Sequence, residues 1–210
     1  AAAFNDRLFL TAAIRTDQNS AFGTNFQRAY YPKASASWII SDEGFFPKAG
    51  WLEQLRLRTA IGASGVQPGP NDALRTFVVS TTNLAATDVS GLRSSQLGNP
   101  DLKPEQSTEF EAGFEARVAK GRVNLELTYY RKQTKDALIN APIAPSAGTA
   151  VTSILTNLGS VRNAGYEGLI NALVVDTRAA VWDVTFAASH SSNELLSLGV
   201  DATGKKIPTI

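Results

Sequence analysis

The chain of 210 residues contains no cysteine, only one histidine and no apolar run that approaches the length of a membrane-spanning helix. Without cysteine, disulfides, zinc–thiolate sites and cysteine nucleophiles are excluded together. A spanning helix would need about 18 or more consecutive apolar residues. Charge of one sign is also missing: 20 Lys and Arg against 19 Asp and Glu leave a net charge of +1. No global field therefore argues for nucleic acid or for an acidic membrane surface as a partner. The opening AAAFNDRLFL has no basic segment leading into an apolar run and a cleavage site, so no signal peptide is expected there. Long stretches of helical periodicity are absent as well.

What is present is alternation with period two. In STEFEAGFEARVAKGRVNLELTYYRK, residues 107–132, the even positions Phe110, Ala112, Phe114, Ala116 and Val118 are apolar or small. The odd positions are Glu109, Glu111, Gly113, Glu115 and Arg117. After Lys120-Gly121 the parity inverts, with Val123, Leu125, Leu127 and Tyr129 apolar and Asn124, Glu126 and Thr128 polar. A two-residue hairpin loop at Lys120-Gly121 pairs Val118 with Val123, Ala116 with Leu125, Phe114 with Leu127 and Ala112 with Tyr129. All four apolar pairs then share one face, and a slip of one residue would mix the faces.

The same reading gives about seven strands. Beyond this hairpin they lie near 5–16, 29–41, 53–64, 163–175 and 181–193. The expected turn at Thr177-Arg178-Ala179 pairs Val174 with Trp182, Ala172 with Val184 and Ile170 with Phe186. Connections alternate between short turns and long polar loops, one of them about forty residues rich in Gly, Pro, Ser and Asn. In an antiparallel up-and-down meander this places short turns at one end and long loops at the other. Trp38, Trp51 and Trp182 fall at the short-turn ends, and Tyr30, Tyr31, Tyr129, Tyr130 and Tyr166 at the long-loop ends. Amphipathic rings collect in this way at the two surfaces of a membrane. The fold class expected is all-β, with a lipid-facing side and a wet side. The alternatives are a soluble or surface β-sandwich that binds carbohydrate, and a passive porin or adhesin barrel. Seven strands do not close a bacterial barrel, which uses an even number, so residues 1–210 are expected to form a partial transmembrane β-barrel domain.

No catalytic constellation is expected. His190 lies on the outward face, opposite in parity to Ser189 and Asp183. The glycines of GASGVQPGP lack the Lys-Ser/Thr of a phosphate loop, and Asp42-Glu43 reads as a solvated turn. No cofactor or metal is expected. On the wet face the candidates are Glu109, Glu111, Glu115, Arg117, Asn124, Glu126, Arg56 and Arg58. Two readings are open for them: an acidic strip that steers ligand or grips a basic partner, and a hydrated interior balanced by arginines. In the long loops the ligand candidates are Arg75, Phe77, Asn83 and Asn157.

Seven stretches in fixed order resemble the barrel portion of TonB-dependent outer-membrane receptors, most closely the SusC-like nutrient importers. They are RLFLTAAIRTDQNSAFG, YYPKASASWIISDEGFF, LEQLRLRTAIGASG, LGNPDLKPEQSTEFEAGFE, VNLELTYYRKQTKDALI, NLGSVRNAGYEGLINALV and WDVTFAASHSSNELLSL. NPDLKPE before a strand and the N-x-G-x-x-x-N-x-G-x-E pattern from Asn157 to Glu167 are the most specific elements. The resemblance implies a large, 22-stranded barrel. It also implies a plug domain and remaining strands outside this chain, a TonB complex that pulls on the plug, a SusD-like surface lipoprotein, a lipid bilayer around the wall and a small oligomeric substrate. It implies transport across the bacterial outer membrane rather than catalysis, and no nucleic acid.

Overall fold

A computed structural model describes residues 1–19 and 28–199. Its strands are β1 (Ala2–Phe4), β2 (Leu8–Asp17), β3 (Ala29–Ile39), β4 (Leu52–Val66), β5 (Thr76–Leu84) and β6 (Thr87–Gln96). The remainder are β7 (Glu105–Val118), β8 (Val123–Lys135), β9 (Leu138–Pro142), β10 (Ser153–Asn157), β11 (Ser160–Asp176) and β12 (Val181–Ser197). Among the described residues there is no α-helix, only 3-10 turns at Ile40–Asp42 and Pro145–Ala147.

Eight strands form one antiparallel sheet in the order β1-β2-β3-β4-β7-β8-β11-β12. The hairpin register is the expected one: Val118 pairs with Val123, Ala116 with Leu125, Phe114 with Leu127 and Ala112 with Tyr129. Its turn holds Lys120 and Gly121 at φ 58° and 76°, and the Arg122 N–H donates to the Ala119 carbonyl at 3.3 Å. Left-handed backbone at both central residues matches the twist of the strands it joins. The connections at 5–7, 40–51, 119–122 and 177–180 lie at one end of the sheet, and those that follow β2, β4 and β8, two of them more than twenty residues long, at the other.

Four expectations change. The first strand does not begin at residue 5. Asn5 and Asp6 take left-handed φ of 47° and 52°, which these two residue types tolerate, and β1 folds back on β2 with Ala2 opposite Leu10. The sheet therefore has eight strands rather than seven. The two long connections contain structure of their own, since β5–β6 and β9–β10 form separate two-stranded hairpins. The last hairpin keeps Ile170 with Phe186 and Ala172 with Val184, but Trp182 pairs with Val175, not Val174. There Thr177 closes a tighter turn: its N–H donates to the Ala180 carbonyl at 2.9 Å, and its hydroxyl accepts from the Ala180 N–H at 3.0 Å. A bulge at Val174 absorbs the extra residue. Of the polar DQNSAFGTNFQRA connection, residues 20–27 lie outside the described residues.

The sheet is a single layer. Its accessible surface of 14229 Å² compares with about 9400 Å² for a compact monomer of 22.4 kDa. Among the described residues the buried apolar side chains are Ala29, Tyr31, Ile39 and Leu102. Among the described residues the β5–β6 and β9–β10 hairpins are separate two-stranded sheets, and neither packs across a face of the main one. One face carries Leu10, Ile14, Leu57, Ile61, Phe110, Leu127, Ile170, Trp182 and Phe186, all well exposed. The tyrosines divide between the faces because consecutive strand residues point to opposite sides. Tyr129 and Tyr166 pair on the apolar face, with ring centroids 5.1 Å apart, and Tyr31 and Tyr130 lie on the polar one.

Candidate functional site

The polar face is built from the same alternation, read across strands rather than along them. On β7 the odd residues point to it. Register places Arg56 of β4 and Glu126 of β8 on either side of Glu115. One step along, Arg58 and Thr128 flank Gly113. Two carboxylates directly opposite one another, Glu115 and Glu126, would repel. Arginines from β4 prevent this. Arg56 lies 3.4 Å from Glu115, and Arg58 lies 3.7 Å from Glu115 and 2.5 Å from Glu126. Arg58 also donates to the Thr128 hydroxyl at 2.6 Å.

Arg58 and Glu126 are on strands separated by β7, so the guanidinium must pass over β7. Gly113 is what lets it pass. A Cβ at position 113 would sit 3.3 Å from Arg58 Nε and 2.5 Å from the Leu127 carbonyl oxygen. The sequence shows this glycine only as a gap in a row of glutamates.

Farther from the short turns, Lys132 of β8 approaches Glu109 at 3.9 Å. Glu111 and Glu167 have no ion-pair partner among the described residues. With Arg58, Glu126, Thr128 and Tyr130 they line an open hollow of about 680 Å³ on the polar face. Arg117 and Asn124 face each other near the Lys120-Gly121 turn, away from that hollow. Thus Arg56, Arg58, Glu115 and Glu126 form one network, and Glu109 and Glu111 lie on the same face nearer the long loops without joining it. Lys132 and Glu167 belong to the same face by their parity. The charges are partly solvated: the side chains of Arg58 and Glu126 are 37% and 41% exposed. The arrangement can hold a charged partner or a water-filled wall, and it places no nucleophile beside a base.

In the loops, Asn157 acts on backbone. Its amide donates to the carbonyls of Lys103 and Asp136, at 2.8 and 2.9 Å, and accepts from the Lys103 N–H at 2.8 Å. Asn99 adds a bond to the Leu155 carbonyl at 3.1 Å. The NPDLKPE segment is thereby tied to the β9–β10 hairpin, and its own Leu102 is fully buried. Asn83 closes the β5–β6 turn, donating to Asp88 and accepting from the Ala86 N–H. Phe77 is exposed on β5, and Arg75 makes a long 3.5 Å contact to the Leu97 carbonyl. The structure does not bring these four together into one pocket.

His190 pairs with Tyr166 on the apolar face, whereas Ser189 pairs with Glu167 and Asp183 with Leu173 on the other. Glu43 accepts from Trp38 Nε1 at 3.0 Å and lies 3.6 Å from Arg7, holding the short-turn end together. Among the described residues no group of three or more His, Asp or Glu side chains is arranged to hold a metal.

Over residues 2–210 the chain matches the family described as TonB-dependent receptor-like, β-barrel. TonB-dependent receptor P26 of Formosa agariphila is 34% identical over 198 residues, covering 94% of this chain and 20% of that protein. TonB-dependent receptor SusC of Bacteroides thetaiotaomicron is 28% identical over 199 residues, covering 92% of this chain and 20% of that protein. The structure of the RagAB peptide transporter superposes with a TM-score of 0.79 at 26% identity, over 93% of this chain and 21% of that one. The siderophore receptor PirA from Pseudomonas aeruginosa, at 18% identity and a TM-score of 0.54, shares the fold. The chain spans about a fifth of the length of these curated relatives.

Proposed function

The chain belongs to the TonB-dependent receptor-like β-barrel family, and we propose that it forms part of the wall of a SusC-like active importer in the bacterial outer membrane. The observation that carries this reading is the single uncovered layer with an apolar face and a charged face. In water such a sheet leaves its apolar side exposed. Between lipid and a water-filled lumen each side meets its own solvent. Residues 1–210 are then one part of a larger barrel, with a plug domain and further strands completing it. A TonB complex acts through the plug, and a SusD-like lipoprotein covers the outer opening.

The long-loop end is the outer surface, and the Lys120-Gly121 turn faces the periplasm. Arg56, Arg58, Glu109, Glu111, Glu115 and Glu126 line the lumen, where Glu111 and Glu167 remain available to cationic groups of the plug or of a passing substrate. The substrate is a short peptide or an oligosaccharide. The likeness to a structure named as a peptide transporter supports the first. The family is one of receptors, and the reading includes no catalysis.

Uptake by intact cells tests this reading. A strain lacking the full-length gene should lose accumulation of labelled oligopeptides or of labelled oligosaccharides, and removing TonB should abolish the same uptake. Uptake that persists without TonB would point to a passive pore instead. Unchanged uptake of both substrate classes in the deletion strain would remove the importer assignment.

A further inference from the structure

A cleft of about 370 Å³ opens between the β5–β6 and β9–β10 hairpins, a size within the range of about 300–1,000 Å³ of small-ligand sites. One wall is the end of β6, with Ser95, Gln96 and Leu97, and the other is β10, with Ser153, Ile154 and Leu155. The cleft shares no residue with the hollow lined by Glu111 and Glu167. The backbone of β10 decides what its wall offers. The Ile143 N–H donates to the Thr152 carbonyl and the Leu158 N–H to the Ala137 carbonyl, so even-numbered residues turn their peptide groups toward β9. Ser153 and Leu155 therefore turn theirs to the outer edge, where the Asn99 amide donates to the Leu155 carbonyl at 3.1 Å. Among the described residues no strand pairs with that edge. Exposed edges are usually blunted by charge or proline, and SILTN, the sequence of β10, carries neither.

A strand edge that presents N–H and C=O groups in a row is complementary to an extended peptide, which repeats the same donor and acceptor along its own backbone. The side chains around the edge suit that ligand. Val151, Ile154 and Leu97 offer aliphatic contact, and among the described residues Asp72 is the one charged group that lines the cleft. Its carboxylate accepts from the Gly69 N–H at 2.7 Å and retains acceptor capacity for a cation. No aromatic ring lines the cleft among the described residues, so a sugar ring finds no flat apolar platform there. Because Asn99 occupies the Leu155 carbonyl, an added strand is confined to the peptide groups of Ser153 and the N–H of Leu155.

We infer that this cleft binds a short peptide in extended form, added as a strand to the edge of β10 through Ser153 and the Leu155 N–H, with a cationic group toward Asp72. This rests on the importer reading and narrows its substrate class to peptides.

The probe is a fluorescein-labelled pentapeptide of alanine and valine with a free amino terminus, and its binding to the purified full-length receptor is read by fluorescence anisotropy. N-methylation of the peptide backbone removes the donors that meet the edge and should weaken binding about tenfold or more. Ser153→Pro removes the outward N–H, which the ladder to β9 does not use, and should weaken binding by a similar factor. Ser153→Ala keeps that N–H and should bind as wild type does. Amide exchange at Ile143 and Leu158 should keep its protection in the proline variant, which separates loss of the edge from loss of the hairpin. Asp72→Asn should weaken binding of the free-amine peptide but not of its N-acetylated form. Equal binding of the N-methylated and unmodified peptides by the wild type would overturn the inference. So would a linear pentasaccharide that displaces the peptide and is itself lost in Ser153→Pro, which would assign the cleft to sugars. Failure of the importer reading shows separately, as unchanged uptake in the deletion strain while the purified receptor still retains the peptide.

Discussion

Replacing Leu125 with arginine puts a charge in the middle of the apolar face, and the structure fixes how deep it lies. Leu125 is opposite Ala116 on β7 and Ile170 on β11, and Ile170 is opposite Phe186 on β12. Phe186 is midway between Trp182 at the short-turn end and His190, which shares a row with Tyr129 and Tyr166. His190 is eight residue steps beyond Trp182. At about 3.4 Å each and a tilt of about 40° they span roughly 21 Å of depth, close to the apolar band of about 25 Å in outer-membrane barrels. Leu125 is therefore at the midplane, where arginine costs about 2–4 kcal/mol, or about 30-fold to 700-fold in the folding equilibrium. Asn124, one residue away, is on the polar face opposite Arg117 and Asn171. Arginine there meets one like charge in water, worth at most about 1 kcal/mol before salt screening. The assay is urea-dependent folding of the full-length receptor into lipid vesicles, followed by tryptophan fluorescence and by gel mobility. Leu125→Arg should be destabilised by at least about 2 kcal/mol more than Asn124→Arg. Equal costs would refute the assignment of the two faces.

Three further outcomes follow from particular contacts. Gly113→Leu should destabilise by about 1–3 kcal/mol through its clash with the Leu127 carbonyl and Arg58, whereas Arg58→Leu should cost under about 1 kcal/mol because its partners are half-exposed; the same vesicle assay compares them, and the Arg58→Leu deficit should shrink in high salt. Asn157→Ala removes three hydrogen bonds to backbone, each worth about 0.5–1.5 kcal/mol, and should speed amide exchange at Lys103 and Leu158 without altering exchange in the middle of β7; protection unchanged at Lys103 would show that the clasp is not formed. Thr177→Val removes the hydroxyl acceptor of the Ala180 N–H and should cost about 0.5–1.5 kcal/mol, read as faster exchange at Ala180 and a lower unfolding midpoint.

Much of this was legible in the linear order of residues. A strand turns its side chains by half a revolution per residue, so Phe110, Phe114, Leu125 and Leu127 are sorted from Glu109, Glu115 and Glu126 by parity alone. The Lys120-Gly121 turn then sets the register of the two strands it joins, because a two-residue loop admits one pairing that keeps the parities together. Both are local properties, and so is the alternation of short and long connections. The turn at Thr177 shows the limit, since its side-chain hydrogen bonds tightened the loop and moved Trp182 from Val174 to Val175.

What lies across strands distant in the chain was decided only by tertiary structure. β4 and β7 become neighbours with a whole hairpin between them in sequence, and their register is what sets Arg58 over Gly113 and within reach of Glu126. Asn157, offered by sequence as a ligand candidate, is placed by that structure on the backbone of Lys103 and Asp136. Alternation tells each residue which solvent it faces. Its neighbours along that surface come from long-range pairing, which no local period contains.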